Sequence, residues 1–323
     1  MSKILIVMYH YVRDIKFSRF SSIKGLETDS FHQQLLYLKK HYNLITMEQL
    51  LECIRNNTNL PNKAALLTFD DGYLDHYLNV FPLLEKYNLK GCFYVPTNVI
   101  KNNVLLDVNK IHLILAKQTD TNVLIEDIKN LIQYHKSDYK LKSFEFYYST
   151  LAKPGRLDHQ DIIFIKRLLQ VELVEELRKL IIEILFNKYV NVSEAILNNE
   201  FYMNEEQILH LHNSGHHIGC HGNNHVWWNR LSKDELGKEI DISLGYLREL
   251  GISLSNWTAC YPYGGYNIET IELLKNKGCN LALTTKSNIS CLNSNSLFEL
   301  PRVDTNEIPM CKEASTNRWY HLQ

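Results

Sequence analysis

The sequence lacks any long apolar run. Its first apolar stretch, residues 4–8, is interrupted by His10, Arg13 and Asp14 before it reaches the length of a signal-peptide core. No later stretch approaches the roughly 20 apolar residues that a membrane-spanning helix needs. We therefore expect no transmembrane segment and no secretory leader, and we place the protein in the cytoplasm.

Paired cysteines are missing as well. The seven cysteines are odd in number and scattered, and no two of them form a Cys-x-x-Cys pair. This pattern does not fit a disulfide scaffold and is typical of a protein from a reducing compartment.

The chain has almost no excess of charge of either sign. Its 35 Lys and Arg residues against 36 Asp and Glu residues give a formal net charge of −1. We therefore expect no nucleic-acid partner and no anionic membrane surface as a partner. A hydrophobic content of 45% and a length of 323 residues are ordinary for a globular protein with a large core.

Short apolar strands alternate with amphipathic helices in two parts of the chain. The pattern predicts strands at residues 4–8, 64–68, 91–95, 217–220, 257–261, 281–284 and 298–302. Alternation of this kind is typical of parallel strands joined by helical crossovers. In such barrels the active site lies at the carboxyl ends of the strands.

The middle of the chain follows a different pattern. Residues 103–200 predict long helices, one of them spanning 162–186, and hold no compact set of chemically suggestive residues. We interpret this segment as a helical insertion within a single domain of residues 1–323, either a lid or a surface for a protein partner.

Two helix starts are marked by capping residues after the insertion. Asn204 is followed three residues later by Gln207, which predicts a capping box. Ser232 is expected to cap a helix whose buried face carries four leucines and isoleucines at helical spacing, namely Leu236, Ile240, Leu244 and Leu247.

Two adjacent carboxylates end the predicted strand at 64–68. Side chains alternate along a strand, so Asp70 and Asp71 would point in opposite directions unless Gly72 lets the chain turn there. One carboxylate could then hold a cation while the other takes a proton. The simpler interpretation is a turn in which both acids cap backbone amides.

Two histidines follow another predicted strand. His221 and His225 are four residues apart, and on a helical turn that spacing would place both imidazoles on one side. Gly222 stands where a His-Glu-x-x-His motif has its glutamate, so a metal site here needs an acid from elsewhere. Asp70 and Asp71 can supply it. Two histidines and one carboxylate leave an open coordination position, which is typical of catalytic zinc sites.

Three motifs in this order resemble those of the polysaccharide deacetylases (carbohydrate esterase family four, the NodB-homology domain): Thr68-Phe69-Asp70-Asp71-Gly72, His221-x-x-x-His225 and Tyr261-Pro262-Tyr263-Gly264. The resemblance covers residues 1–100 and 201–305. It implies an α/β fold, a distorted (β/α) barrel into which the helical segment is inserted. It also implies hydrolysis of the acetyl group of N-acetylated sugars with one divalent metal ion, Zn²⁺ first, with Co²⁺, Ni²⁺ or Mn²⁺ as other ions.

The resemblance also assigns roles to single residues. Asp71, His221 and His225 would hold the metal, and Asp70 would be the general base. Tyr263 stands where the family uses a backbone amide to stabilise the tetrahedral oxyanion.

Two departures from the family pattern concern the groups around the base. Many members have an arginine two residues before the proline of the third motif, where this chain has Cys260. Arg302, after a predicted late strand, is our candidate replacement. The late leucine-x-histidine that supplies the general acid is absent, and His321 is a poor substitute. Some relatives carry that histidine in an N-terminal Tyr-His segment, so we assign protonation of the leaving amine to His10.

Other functions remain open at this point. The same parts could remove an O-acetyl or an N-formyl group, and a catalytically inactive glycan-binding homologue would keep the fold. A scaffold whose metal is only structural is a third alternative. A cytoplasmic deacetylase would act on a nucleotide-linked or lipid-linked sugar destined for a surface polysaccharide.

Overall fold

The computed structural model describes residues 2–155, 158–292 and 297–323. The chain forms two compact units. One comprises Met1–Asp14, Gly25–Val104 and Asn198–Gln323, and the other comprises Ile15–Lys24 and Leu105–Leu197. The longer segment of the second unit nearly coincides with the predicted insertion at 103–200. A role for that segment as a lid or a partner surface stays a prediction.

All strands of the described residues lie in the first unit and form one sheet. They are β1 (Lys3–Tyr9), β2 (Asn43–Leu44), β3 (Ala64–Asp70), β4 (Cys92–Val95), β5 (His217–Cys220), β6 (Ala259–Cys260), β7 (Ala282–Leu283), β8 (Ser290–Cys291) and β9 (Val303–Asp304). Their order is β7-β6-β5-β4-β3-β1-β8, with β2 beside β3 and β9 beside β1. Only β8 pairs antiparallel. Because β3 is buried along its whole length, its apolar sequence is that of a central parallel strand.

The segment 300–304 joins the two ends of this sheet. Leu300 forms a parallel bridge with Leu283 of β7, and Val303 pairs with Val7 of β1. The last strand predicted at 298–302 is wrong in position, since β9 starts at Val303. Pro301 explains the shift, because a residue without a backbone N–H interrupts the ladder between the two pairings.

The helices of the described residues connect the strands of the first unit and make up most of the second. They are α1 (Thr28–His41), α2 (Met47–Asn56), α3 (Phe81–Lys86), α4 (Asn98–Lys101), α5 (Asp107–Lys117), α6 (Thr121–Tyr134), α7 (Phe144–Leu151), α8 (Gln160–Arg167), α9 (Glu175–Tyr189), α10 (Glu194–Phe201), α11 (Glu205–Asn213), α12 (Lys233–Glu249), α13 (Ile268–Asn276) and α14 (Arg318–Leu322). None of these helices combines the length and the apolar character that a bilayer span requires.

Sequence patterns predicted the helix starts better than the helix lengths. The capping box predicted at Asn204 and the helix cap predicted at Ser232 are confirmed, and Ser232 also forms a capping box, with Glu235. The single helix predicted at 162–186 is wrong. A π-helical turn follows α8, and Leu173 and Val174 then adopt extended backbone, which ends the hydrogen-bond ladder before α9 begins.

The α/β barrel fold predicted from the sequence is confirmed. Parallel strands β1, β3, β5 and β6 end at the same edge of the sheet, because parallel neighbours run in one direction. His10, Asp70, His221 and Tyr261 therefore end or follow their strands at a common edge. The candidate site is built there.

Candidate active site

The backbone turns sharply where β3 ends. Asp71 and Gly72 both have positive φ angles, +75° and +66°. A Cβ atom at position 72 would come within 3.0 Å of Val95 on the next strand, so glycine suits both the angle and the space. The turn predicted at Gly72 therefore begins one residue earlier, at Asp71. Because the chain turns there, Asp70 and Asp71 do not point in the alternating directions of a continuing strand.

Asp71 meets both histidines of the second motif. Its Oδ1 atom lies 3.3 Å from Nε2 of His221 and 3.2 Å from Nε2 of His225. The ligand atoms of the three residues lie within 4.8 Å of one another, and all three side chains are buried. The structure thus brings together three residues that are up to 154 positions apart.

Hydrogen bonds outside this triad orient two of its members. Nδ1–H of His221 donates to the backbone carbonyl of Cys260 at 2.8 Å, which leaves the Nε2 lone pair directed at Asp71. The Tyr73 hydroxyl donates to Oδ2 of Asp71 at 2.8 Å. Asp71 Oδ1 is buried and has no hydrogen-bond partner among the described residues.

These observations fit a cation site. A buried carboxylate oxygen without a donor is costly, and two imidazole nitrogens converge on it. Two histidines and one carboxylate are a donor set that Zn²⁺ and its neighbours in the first transition row accept. We conclude that the side chains present suit one divalent metal ion.

The helical turn considered for His221 and His225 is wrong. Residues 221–227 form a loop after β5, in which Gly222 has φ +75° and His225 has φ +53°. Two left-handed residues bring the imidazoles to the same side, with ring centres 4.8 Å apart. A left-handed backbone at a histidine is uncommon, so the loop depends on outside contacts.

One of those contacts was missed by the sequence argument. Glu239 of α12 is buried and accepts hydrogen bonds from the backbone N–H groups of Asn223 and Asn224 at 2.8 and 2.6 Å. A carboxylate within the apolar stripe of Leu236 and Ile240 was the available sequence signal.

Asp70 forms a buried ion pair with Arg302. Nη1 donates to Oδ1 at 2.9 Å and Nη2 donates to Oδ2 at 2.6 Å, in a bidentate arrangement. Arg302 has no exposed surface, and its Nε–H donates to the carbonyl of Thr284 at 2.9 Å. Cys260, which occupies the family's arginine position, donates its thiol to Oδ2 of Asp70 at 3.4 Å. Position 260 therefore faces the same carboxylate.

The ion pair determines the protonation state of Asp70. Burial by itself would raise the pKa of this carboxyl, but the charge of Arg302 and its two hydrogen bonds outweigh burial and lower the pKa to about 2. The pKa of Arg302 is raised, because attraction to Asp70 exceeds the cost of its own burial. Asp70 is therefore ionised at neutral pH.

His10 lies within reach of Asp70. Its Nε2 atom is 3.8 Å from Oδ2, and its side chain is 41% exposed, far more than Asp70 at 2%. His10 therefore lies between the buried carboxylate of Asp70 and the solvent.

The loop that carries His10 is pinned by a π-helical turn after the aspartates. Nε2–H of the buried His76 donates to the His10 carbonyl at 2.8 Å. Asp75 accepts the N–H of Val12 and pairs bidentately with Arg13 at 2.8 and 2.7 Å. These contacts of Asp75 and His76 with residues 10–13 were not predicted from the sequence.

Tyr263 lies next to the second histidine. Its ring centre is 4.6 Å from that of His225, and its ring also stacks on Trp227, with centres 5.0 Å apart and planes at 4°. Its φ angle is +57°, and Gly264 follows with φ +70°. The sharp backbone turn at the end of β6 therefore lies beside the triad.

The described residues thus define a parallel strand–helix barrel with an Asp-His-His triad that suits a divalent cation and an arginine-paired carboxylate beside it. The sequence profile of the polysaccharide deacetylase family matches residues 57–132 and 175–282, more than half of the chain. The chain belongs to the polysaccharide deacetylase family.

One curated relative is the poly-β-1,6-N-acetyl-D-glucosamine N-deacetylase of Escherichia coli K12. It is 35% identical over 83 residues, which are 25% of this chain and only 12% of that protein. The match is therefore confined to a small part of a longer relative.

Solved structures of deacetylases share the fold. PplD of Streptococcus pyogenes, in complex with acetate, superimposes with a TM-score of 0.58 at 20% identity over 95% of both chains. IcaB of Ammonifex degensii superimposes with a TM-score of 0.56 at 18% identity, over 94% of this chain and 91% of that one. At such identities the likeness shows the fold alone.

Proposed function

We propose that the protein is a metal-dependent deacetylase that hydrolyses the N-acetyl group of an amino sugar in a glycan or glycan precursor and releases acetate. The observation that carries this proposal is the convergence of Asp71, His221 and His225 beside the separate Asp70–Arg302 pair. Family membership supports deacetylation. The E. coli relative, named for a poly-N-acetylglucosamine substrate, supports an N-acetylated sugar.

Asp71, His221 and His225 would hold one divalent ion, with Zn²⁺ as the first candidate and Co²⁺, Ni²⁺ or Mn²⁺ as alternatives. Such an ion supplies Lewis acidity, which polarises an acetyl carbonyl and lowers the pKa of a water molecule. The unpartnered Oδ1 atom of Asp71 supports this assignment.

The other residues would move protons and hold charge. Asp70 would take a proton from the attacking water, and Arg302 would keep its carboxylate ionised and fixed. His10, exposed and 3.8 Å from Asp70, would give a proton to the leaving amine. The backbone amide of Tyr263 would stabilise the developing oxyanion.

The alternative of an inactive glycan-binding homologue loses its best argument. That argument was the missing arginine at Cys260, but a buried guanidinium from Arg302 already reaches both oxygens of Asp70. The geometry therefore favours an active enzyme with Asp70 as its base over an inactive glycan-binding homologue.

The proposal is tested by incubating purified protein, loaded with Zn²⁺, with N-acetylated oligosaccharides. We expect acetate release and a product lighter by one acetyl group, measured by mass spectrometry. O-acetylated and N-formylated sugars in parallel separate the ester and formyl alternatives. Turnover of those sugars alone would overturn the N-deacetylase assignment.

Two neighbouring carboxylates provide a matched pair of variants. Asp71→Asn is expected to lose both bound metal and activity, whereas Asp70→Asn is expected to keep the metal and lose activity. Metal content is measured by elemental analysis of the dialysed proteins. Equal metal content in both variants would contradict the assignment of Asp71 as a ligand.

The proposal extends to the carrier of the substrate and to a protein partner. We propose a nucleotide-linked or lipid-linked N-acetyl sugar as the form that the enzyme meets, with the helical insertion at 103–200 as a surface for a protein partner. A comparison of turnover on free, nucleotide-linked and lipid-linked sugars tests the first point. Equal turnover on all three would contradict it.

A further inference from the structure

A buried carboxylate lies against the loop that carries both metal-binding histidines. Glu239 is 5% exposed and belongs to α12, not to the loop. Its Oε1 atom accepts the backbone N–H groups of Asn223 and Asn224, and its Oε2 atom accepts the side-chain amide of Asn224 at 3.0 Å. Both oxygens are thus bonded to the residues between His221 and His225.

Gly222 lies directly over this carboxylate. A Cβ atom there would come within 2.9 Å of Glu239 Oε1 and 3.1 Å of the indole nitrogen of Trp228. A side chain at this position, which holds the glutamate in a His-Glu-x-x-His motif, would therefore displace Glu239 and strain a backbone with φ +75°. A glutamate from a different element occupies the space beneath it.

The opposite side of the loop is held by the start of α4. The N–H groups of Thr97 and Asn98 donate to the carbonyls of Gly222 and Asn223 at 3.1 and 3.0 Å. The Thr97 hydroxyl also donates to the side chain of Asn223 at 3.0 Å. The residues between the two histidines are therefore held both by the start of α4 and by the carboxylate of Glu239.

The hydrogen-bond donors around Glu239 compensate for the burial of its carboxylate. Its hydrogen-bond donors are the backbone N–H groups of Asn223 and Asn224 and the side-chain amide of Asn224, and burial raises the pKa of this carboxyl. Burying a carboxylate is expensive unless its hydrogen bonds compensate. Those bonds fix a loop with two left-handed residues, whose shape decides how far apart the imidazoles lie.

We propose that Glu239 is a positioning residue that sets the mutual geometry of His221 and His225 and so determines the affinity of the metal site. The inference rests on the proposed function, because it takes those histidines as ligands. Contacts that orient metal ligands typically contribute about 10–100-fold in affinity.

The test is a titration of the metal-free protein with Zn²⁺ alone, in competition with a chromophoric chelator. Glu239→Ala removes three hydrogen bonds and is expected to bind Zn²⁺ about 10–100-fold more weakly. Glu239→Gln keeps an oxygen for the two backbone N–H groups and should lie between Ala and the natural residue. The Gln variant also serves if the Ala variant fails to fold.

Two controls on the same helix separate positioning from general stability. Ser243→Ala removes a buried hydroxyl that accepts the Cys220 thiol at 3.4 Å, outside the loop. Leu244→Ala lowers stability by removing buried apolar surface. Both are expected to bind Zn²⁺ as the natural protein does, while unfolding more easily in urea.

Two outcomes overturn the inference: wild-type affinity in Glu239→Ala, or a loss no larger than that of Leu244→Ala. Asp71→Asn and His221→Ala in the same titration separate this failure from that of the proposed function. Unchanged affinity in those two variants would refute the metal site itself. If Asp71→Asn and His221→Ala bind Zn²⁺ more weakly while Glu239→Ala keeps full affinity, only the role of Glu239 is refuted.

Discussion

At the scale of single residues, the charge partner of Asp70 is Arg302, and not a residue beside the third motif, where many family members have this arginine. The family's arginine position is occupied by Cys260, whose sulfur lies 3.0 Å from Nη2 of Arg302. Both positions therefore face the same carboxylate. Breaking a buried ion pair by removing one partner costs roughly 3–5 kcal/mol, because the remaining charge is left without compensation.

Arg302→Ala is expected to lower the free energy of unfolding by about that amount. It should also lower kcat on the order of 100-fold through misplacement of Asp70. Urea unfolding and acetate release measure the two effects. If the variant keeps both stability and turnover, Arg302 does not serve Asp70.

A relocated guanidinium tests the geometry more sharply. In the double variant Cys260→Arg/Arg302→Ala, an arginine at the family position should again reach Asp70, within the space that Arg302 vacates. We expect turnover above that of Arg302→Ala. The single variant Cys260→Arg, which keeps Arg302 and so crowds two arginines into one space, is the control. No recovery would show that position 260 cannot supply the pair.

At the scale of elements, the π-helical turn His76–Val80 holds the loop after β1. Asn79 adds a side-chain hydrogen bond to the carbonyl of Val12 at 2.7 Å, beyond the bonds of Asp75 and His76. Turns of this type are rare and occur often at functional sites. Here the turn lies a few residues after the aspartates, and His76 and Asn79 fix the segment that carries His10 by hydrogen bonds.

Asp75→Asn is expected to destabilise the protein by roughly 2–4 kcal/mol, because Arg13 loses its anionic partner in a mostly buried place. Lys179→Ala, which breaks an exposed pair with Glu175, should change stability by less than about 1 kcal/mol. Denaturant titration measures both. Equal effects would mean that the Arg13–Asp75 pair behaves as a surface contact.

Local patterns predicted the parts of the site that lie on strand ends. The apolar run into Asp70 and Asp71 and the glycine after it were enough to predict the turn. The left-handed backbone at His225 and the π-helical turn His76–Val80 were not predictable, since neither has a local sequence pattern. Glu239 acts across 16 residues of chain on a loop, so only the fold reveals its partners.

At the scale of the whole molecule, two buried neutral histidines make stability depend on pH. His216 accepts the N–H of Gly91 at Nδ1, at 3.0 Å, and donates from Nε2 to Glu85 at 3.2 Å. Burial, with some repulsion from Lys90, lowers its pKa to about 4. Burial likewise lowers the pKa of His76 to about 4.

Because the unfolded histidines titrate near pH ~6.5, the unfolded chain binds more protons between that pH and about 4. The free energy of unfolding should therefore fall as the pH drops through this window, by roughly 2–3 kcal/mol for each histidine. Urea unfolding at about pH 7.5, 6 and 5 follows this decline from above the window into it.

His216→Asn supplies a matched control for the pH series. Its side-chain oxygen can still accept the Gly91 N–H, but it does not titrate in this range. We expect a shallower decline of stability with falling pH in this variant. An unchanged slope would show that His216 does not contribute to the acid sensitivity.

The closing segment of the sheet has a consequence for biosynthesis. Arg302 and the Leu300 and Val303 pairings come from the same few residues, and Arg302 meets Asp70 across 232 positions. A nascent chain on the ribosome cannot neutralise Asp70 or complete the ring of strands until that segment has been made and released from the exit tunnel. The proposed catalytic centre therefore cannot assemble until residues 300–304 have left the ribosome, however early Asp70 itself was synthesised.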